Sequence, residues 1–283
     1  MIRIVEVGPR DGLQSEAATL PTDVKVAYID ALSSAGLPEI EASAFVSPRW
    51  VPQLADAEEV FRRIRRAPGV LYSALVPNEQ GLERTLAAKV GKVAVFTAAS
   101  ETFNRKNINA SIAESLQRFE PVLRGARAAK LPVRGYISTA FWCPYEGKVE
   151  PAKVVDVSRR LVDAGVDELS IGDTIGKASP DEVAALLDAL LPVVPASRLA
   201  LHFHDTFHRA VENATAAWKR GIETFDSSAG GIGGCPYAPG ASGNVATEAL
   251  IEAFRAAGAE ITGDLAAIAA ARKILAPALG RRG

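Results

Sequence analysis

Ile2-Arg3-Ile4-Val5-Glu6-Val7 opens the chain and runs straight into Gly8-Pro9-Arg10-Asp11-Gly12. A short β-rich run that breaks into turn-forming and charged residues is one unit of a larger pattern. Seven similar runs follow, at Glu39 to Phe45, Val70 to Val76, Lys92 to Thr97, Val133 to Thr139, Glu168 to Gly172, Leu199 to His204 and Thr224 to Ala229. Helical patterns lie between them. The spacing predicts a helix over Asp23 to Ala35, with Thr22 capping its start and Gly36 its end. Others are predicted over Pro151 to Ala164, stopped by Gly165, and over Asp181 to Leu190, preceded by Ser179 and Pro180. Strand and helix in alternation imply a parallel sheet covered by helices, and eight strands favour closure into a (β/α)8 TIM barrel over an open sheet. Such barrels reach about 250 residues as one unit, so the 283 residues read as a single catalytic domain. No Ser/Gly-rich linker divides them. Residues 251–283 are expected to add C-terminal helices over one end of the barrel.

Composition narrows the partners. Thirty-two basic and thirty-three acidic side chains leave a formal charge of −1, and no basic run is present to hold nucleic acid or an anionic membrane. The alanine-rich stretch at Leu265 to Ala271 is interrupted by Arg272 and Lys273, so no segment is expected to span a bilayer. Two cysteines, Cys143 and Cys235, are too few for a disulfide framework. With no secretory or transit pattern at the start, the chain reads as cytoplasmic.

In this architecture chemistry gathers at the C-terminal ends of the strands. The seventh run carries His202-Phe203-His204-Asp205, and residues two apart on a strand share a face, so the two imidazoles converge near the mouth. Neutral imidazole is the commonest metal ligand. Asp11, at the end of the first run, is brought alongside by closure of the barrel and supplies a carboxylate. Two histidines and a carboxylate leave positions open for substrate oxygens, and Mg2+, Mn2+ and Fe2+ all suit the set. Asn244 follows a glycine-rich segment beginning Gly230-Gly231-Ile232-Gly233-Gly234-Cys235 and can offer an amide oxygen as a further hard ligand. That segment lacks a phosphate-binding signature and reads instead as a loop able to close over substrate. The third histidine, His208, reads as a solvated side chain. Glu41 on the second run is either an inward acid or a salt-bridged barrel residue. Asn104-Arg105-Lys106-Asn107-Ile108-Asn109, after the fourth run, suits an anionic substrate or a solvated loop. Asp173 and Thr174, after the sixth, could touch substrate or cap the next helix.

Together these motifs resemble the 3-hydroxy-3-methylglutaryl-CoA lyase family, a branch of the metal-dependent lyases and Claisen-type synthases. The similarity runs through Val5-Glu6-Val7-Gly8-Pro9-Arg10-Asp11-Gly12-Leu13-Gln14, Phe45-Val46-Ser47-Pro48, Lys106-Asn107-Ile108-Asn109, Cys143-Pro144-Tyr145-Glu146-Gly147 and Gly172-Asp173-Thr174-Ile175-Gly176. It continues through His202, His204-Asp205-Thr206 and the segment from Gly233 to Asn244. The resemblance implies a divalent cation, Mg2+ or Mn2+, held by Asp11, His202, His204 and Asn244. It implies catalytic roles for Arg10 and Cys235, with Asp11 or His202 as base and Glu41 positioning a hydroxyl or assisting proton transfer. Arg10, Gln14 and Thr174 would meet the substrate, while Arg105, Lys106 and Asn107 would face the coenzyme A portion. A homodimer or larger homo-oligomer is expected on the same basis.

The family pattern is not followed everywhere. Ser43-Ala44-Phe45 stands where Thr-Ser-Phe is usual, Trp142 where a glycine precedes the cysteine, and Phe207-His208 where Tyr-Gly is usual. No implied ligand is lost, but Trp142 could reshape an acyl pocket and suit another 3-hydroxyacyl-CoA. Claisen-type synthases that join acetyl-CoA to a 2-oxo acid typically carry His-x-His-Asn and an acidic Gly-Glu-Arg loop; this chain has Asp205 and Cys235-Pro236-Tyr237 in those places. A metal-binding scaffold without turnover would be expected to have lost one of the ligands.

Overall fold

A computed structural model describes residues 1–233 and 243–280. Eight parallel strands close on themselves: β1 (Arg3–Glu6), β2 (Glu39–Ala44), β3 (Leu71–Leu75), β4 (Lys92–Ala98), β5 (Val133–Ser138), β6 (Glu168–Asp173), β7 (Leu199–Phe203) and β8 (Thr224–Ser227). The seam is closed by pairing of β1 with β8, Arg3 opposite Thr224 through Glu6 opposite Ser227, and of β1 with β2, Val5 opposite Glu39. The fold is the (β/α)8 TIM barrel that the recurring runs imply, each strand lying within two residues of its expected limits.

The helices follow from local chemistry. Helix α1 (Thr22–Ser33) starts one residue earlier than expected and is not capped by Thr22, whose hydroxyl is drawn away to donate to Asp56 Oδ2 at 2.6 Å; Pro21 takes the cap position instead. Helices α2 (Ala57–Arg63) and α3 (Glu79–Ala87) follow β2 and β3. Two helices, α4 (Glu101–Ile108) and α5 (Ile112–Ala128), follow β4. The polar run Asn104 to Asn109, read from sequence as a post-strand loop, is therefore mostly helix, ended by Asn109 in the left-handed region at φ 50°. After β5 comes a short hairpin, Trp142–Cys143 against Gly147–Lys148. Helix α6 (Pro151–Asp163) begins with proline in its first turn and is stopped by Gly165 at φ 99°. Helix α7 (Pro180–Leu190) has a capping box in which Ser179 and Glu182 each satisfy the other's backbone N–H.

Helix α8 (Ala210–Trp218) precedes β8, and α9 (Thr247–Ala256) follows it. The first C-terminal helix thus begins before residue 251 and completes the barrel's outer ring. Among the described residues of the C-terminal region, α10 (Leu265–Leu275) lies beyond that ring; it packs on α1, while Ile261 bridges to Ile2 just before β1.

Between strands and helices the core is apolar: Ile4, Ile40, Ala74, Val93, Val95, Ile137, Ile171, Leu201 and Phe225 are all buried. Inside the barrel it is not. TIM barrels usually fill that space with layers of branched aliphatic residues, yet Glu39, Glu41, Lys92, Arg134, Tyr136, Glu168, Ser170, His202 and Asp226 are buried on alternate positions of these strands. The polar filling forms two connected groups, one toward the N-terminal end of the strands and one at the mouth.

Candidate active site

The mouth is organised by a wide turn after β1. The carbonyl of Val7 accepts from the backbone N–H groups of Arg10 (3.1 Å), Asp11 (2.8 Å) and Gly12 (3.2 Å), which coils Gly8–Gly12 tightly above the strand. Arg10 and Asp11 are thereby carried over the open end of the barrel. The Arg10 guanidinium is buried at 6% exposure, so its charge has to be met by protein. Its Nε donates to Glu41 Oε2 at 2.5 Å and its Nη1 to Asp11 Oδ1 at 2.6 Å. Glu41 Oε2 also accepts from the Tyr136 hydroxyl at 3.1 Å, and the Arg10 guanidinium lies 5.1 Å from the centre of the Tyr136 ring. Glu41 is thus an inward barrel residue and a salt-bridged one at once.

Beside this pair the two histidines of β7 meet, with ring centres 5.2 Å apart. Ligand atoms of Asp11, His202 and His204 all lie within 4.8 Å of one another. Asn244 reaches the cluster because residues 243–247 return alongside β7: Asp205 N donates to Gly243 O at 2.7 Å, Val245 N to Phe203 O at 3.1 Å, and His204 bridges Asn244. The Asn244 amide nitrogen donates to Asp11 Oδ2 at 2.9 Å and Ile232 O at 3.2 Å. Both partners can only accept, which fixes the orientation of the amide. Its Oδ1 is left buried without a hydrogen bond, as is His204 Nδ1.

Electrostatics favour cation binding. Burial works to raise the Asp11 carboxyl, but Arg10 and the two histidines hold it well below the usual carboxylate range. His204 falls to about 4 through burial and the neighbouring His202, so near neutral pH it keeps a free lone pair. His202 moves the other way, since Asp226 and Asp11 outweigh the effect of its burial. An anionic carboxylate, imidazole nitrogens and an orphaned amide oxygen are a donor set for a divalent cation, and an unsatisfied buried oxygen otherwise costs about 1–3 kcal/mol. The residues present fit a metal.

Other sequence candidates fall elsewhere. Gln14 follows the turn, with a buried Oε1 that has no hydrogen-bond partner. Asp173 caps the turn after β6, accepting from Lys177 N at 3.1 Å and Ala178 N at 3.0 Å; burial, only partly offset by these bonds, raises its pKa to about 6. Thr174 Oγ1 accepts from Thr139 N at 2.7 Å, which steadies Thr139 at φ 52°. Arg105, Lys106 and Asn107 are exposed on the last turn of α4, outside the buried cluster, and the Lys106 ammonium sits 4.8 Å from the Tyr145 ring centre. His208 is solvent-exposed, as expected. Trp142 donates to Glu182 Oε2 at 3.2 Å and carries the Lys177 ammonium 3.8 Å over its ring. Cys143 is buried against Ser100. Cys235 lies outside the described residues.

Residues 1–275 match the model of the family described as HMGL-like. The chain belongs to the HMGL-like family. Within it, this protein is 50% identical over 281 residues to a mitochondrial hydroxymethylglutaryl-CoA lyase of Bos taurus, an alignment covering 99% of this chain and 86% of the relative. Its fold superposes on an HMG-CoA lyase from Brucella melitensis with a TM-score of 0.95 at 49% identity, covering 96% of both chains. An HMG-CoA lyase from Acinetobacter baumannii, solved with coenzyme A and 3-methylmalate, matches with a TM-score of 0.94 at 36% identity, over 99% of this chain and 92% of the other.

Tyr136, which packs against Arg10 in this HMGL-like barrel, Asp226, which packs against His202, and Arg134, which pairs with Asp226, are not among the residues singled out from the sequence. Each had a visible signal. A charged or hydroxylated residue recurring every second position within an otherwise apolar run marks the interior face of a strand.

Proposed function

We propose that the protein is a hydroxymethylglutaryl-CoA lyase, a carbon–carbon lyase that cleaves 3-hydroxy-3-methylglutaryl-CoA to acetyl-CoA and acetoacetate with the help of a divalent cation, Mg2+ or Mn2+. The observation that carries this reading is the 2.6 Å contact between Arg10 and Asp11: a fixed guanidinium fork stands one residue from a carboxylate that also belongs to a cluster fit for a metal. Full-length similarity to HMG-CoA lyases supports it.

Cleavage requires the tertiary hydroxyl of the substrate to lose its proton, the bond between C2 and C3 to break toward the thioester, and the resulting enolate to regain a proton at carbon. When bound by Asp11, His202, His204 and Asn244, a divalent cation lowers the pKa of the substrate hydroxyl and fixes its orientation. Arg10 is already clamped by Glu41 and Asp11, so its remaining N–H donors are preorganised for the enolate oxygen; one such donor is typically worth about 3–4 kcal/mol of barrier. Asp11 takes the hydroxyl proton. Glu41, whose pKa burial raises against the pull of Arg10 and whose Oε1 has no hydrogen-bond partner, is suited to assist that transfer. Cys235 returns a proton to the enolate. Gln14 and Thr174 line the acyl end, and Arg105, Lys106 and Asn107 receive the coenzyme A portion. A homodimer or larger homo-oligomer acting in the cytoplasm completes the reading, on the strength of the family resemblance and the scarcity of cysteine.

The test is acetoacetate release from the thioester by metal-stripped protein, before and after addition of Mg2+ or Mn2+. Metal-dependent product that is lost in His204→Ala and Cys235→Ala supports the reaction and both groups. Folded protein that yields no acetoacetate with either ion overturns the substrate.

A further inference from the structure

The two histidines of the proposed cation site are not held alike. His204 Nδ1 is buried with no hydrogen-bond partner. His202 Nδ1 likewise has no hydrogen-bond partner, but it stands 3.3 Å from Asp226 Oδ2, within ion-pair distance. Asp226 is itself among the best-fixed carboxylates in the molecule, at 1% exposure. Its Oδ1 accepts from Arg134 Nη2 at 2.6 Å and its Oδ2 from Ser170 Oγ at 2.7 Å. Arg134, also 1% exposed, is anchored in turn by Glu168 Oε1 at 3.0 Å. The arrangement spans four adjacent strands, β5 to β8, whose register sets Asp226 opposite His202 and Arg134 opposite Glu168.

We propose that Asp226 is a positioning residue for the divalent-cation site, holding His202 through Nδ1 so that Nε2 is the nitrogen offered to the ion, with Arg134 and Ser170 fixing the carboxylate behind it. The inference rests on the metal site proposed above. Nothing in the reaction requires a carboxylate at this depth, but its place opposite His202 on the neighbouring strand sets Asp226 against the imidazole. A histidine whose second nitrogen is bonded to a fixed carboxylate is locked in tautomer and ring orientation, and loss of such a partner typically weakens metal affinity 10–100-fold. The asymmetry assigns different tasks to the pair: His202 is set in place by the protein before an ion arrives, and His204 is held chiefly by its strand.

The experiment measures Mn2+ binding to the intact protein by electron paramagnetic resonance, with thermal unfolding as a check on the fold. Asp226→Asn should bind Mn2+ about 10–100-fold more weakly. Because that substitution also strips Arg134 of a counter-ion, Ser170→Ala serves as the second variant: it keeps the ion pair, removes one bond to Oδ2 and should weaken Mn2+ by a few-fold while the melting temperature barely moves. A third readout needs no metal. Long-range 1H–15N spectra at pH 8 should find His202 as the Nδ1–H tautomer in the wild type and a mixture in Asp226→Asn. Folded Asp226→Asn with unchanged Mn2+ affinity overturns the proposal; if that variant does not fold, unchanged affinity and tautomer in Ser170→Ala does so. Wild type that binds no Mn2+, or His204→Ala that binds it as tightly as wild type, overturns the metal site itself and this inference with it.

Discussion

Glu6 shows what one carboxylate can do without touching substrate. It is fully buried under the turn that carries Arg10 and Asp11, where Oε1 accepts from Gly8 N and Ala229 N, both at 2.9 Å, and Oε2 from Thr247 Oγ1 at 2.6 Å. It thereby ties the turn after β1 to the start of the glycine-rich segment. Burial lifts its pKa to about 7 against the pull of those three bonds. A raised carboxyl favours the folded state while protonated, so its contribution is complete below pH 4.5 and disappears as pH climbs through 7. The loss is on the order of 3 kcal/mol. Glu6→Gln keeps an oxygen for both N–H groups and cannot ionise. Denaturant unfolding at pH 5 and pH 8 should therefore show the variant gaining stability relative to wild type at the higher pH, by an amount of that order; parallel pH profiles would sink the assignment. Glu6 also marks how far residues could be read without a structure. Asp11, His202 and His204 were legible because a strand's period of two and barrel closure bring them together whatever the surroundings. The contacts of Arg10 with Glu41 and Tyr136 were not, since these lie 31 and 126 positions away in sequence and reach it from β2 and β5.

Among elements, the strands were legible nearly to the residue, because an apolar run between glycine, proline and charge has one plausible conformation at that length. Helix α4 was not, because Asn104 to Asn109 is polar almost throughout, with only Phe103 and Asn104 buried, and periodicity had little to register. The returning segment 243–247 is a different case: glycines announced irregular backbone but not where it would dock. Gly233 explains the docking. At φ +109° a Cβ there would stand 2.8 Å from Asn244 Nδ2 and 3.1 Å from Gly12 Cα, so only glycine lets the segment lie against the β1 turn with Asn244 aimed at Asp11. Gly221 is a natural control, with φ +87° and open space around its absent side chain. Both alanine substitutions strain the backbone, but Gly233→Ala should also overpack the site, costing about 1–3 kcal/mol more, and should weaken Mn2+ binding, whereas Gly221→Ala should leave the ion's affinity alone. Equal effects of the two on Mn2+ affinity would show that the segment does not place Asn244.

Across the whole molecule, the barrel's interior is a column of charge. Toward the N-terminal end of the strands Lys92 Nζ meets Glu39 Oε2 at 3.1 Å and Glu168 Oε1 at 2.9 Å, Arg3 pairs with Glu168, and Arg134 links Glu168 to Asp226 beneath His202. Three cations face three anions, so the column is neutral as a whole although each member is costly to bury alone. Neutrality, more than any single pair, is then what the fold depends on. Lys92→Met leaves Glu39, 1% exposed, and Glu168 short of a counter-ion, and should cost about 3–5 kcal/mol in denaturant unfolding. Lys92→Met combined with Glu39→Met removes one charge of each sign, fills the space with apolar groups of similar length, and should recover most of that loss. Two independent contacts would give the opposite order, with the double variant less stable than either single one. Because the column ends at Asp226, the single variant should also loosen Mn2+ binding slightly through Glu168 and Arg134, and the charge-balanced double variant should restore it; Mn2+ affinity that stays fixed across both would confine the column to stability and detach it from the mouth of the barrel.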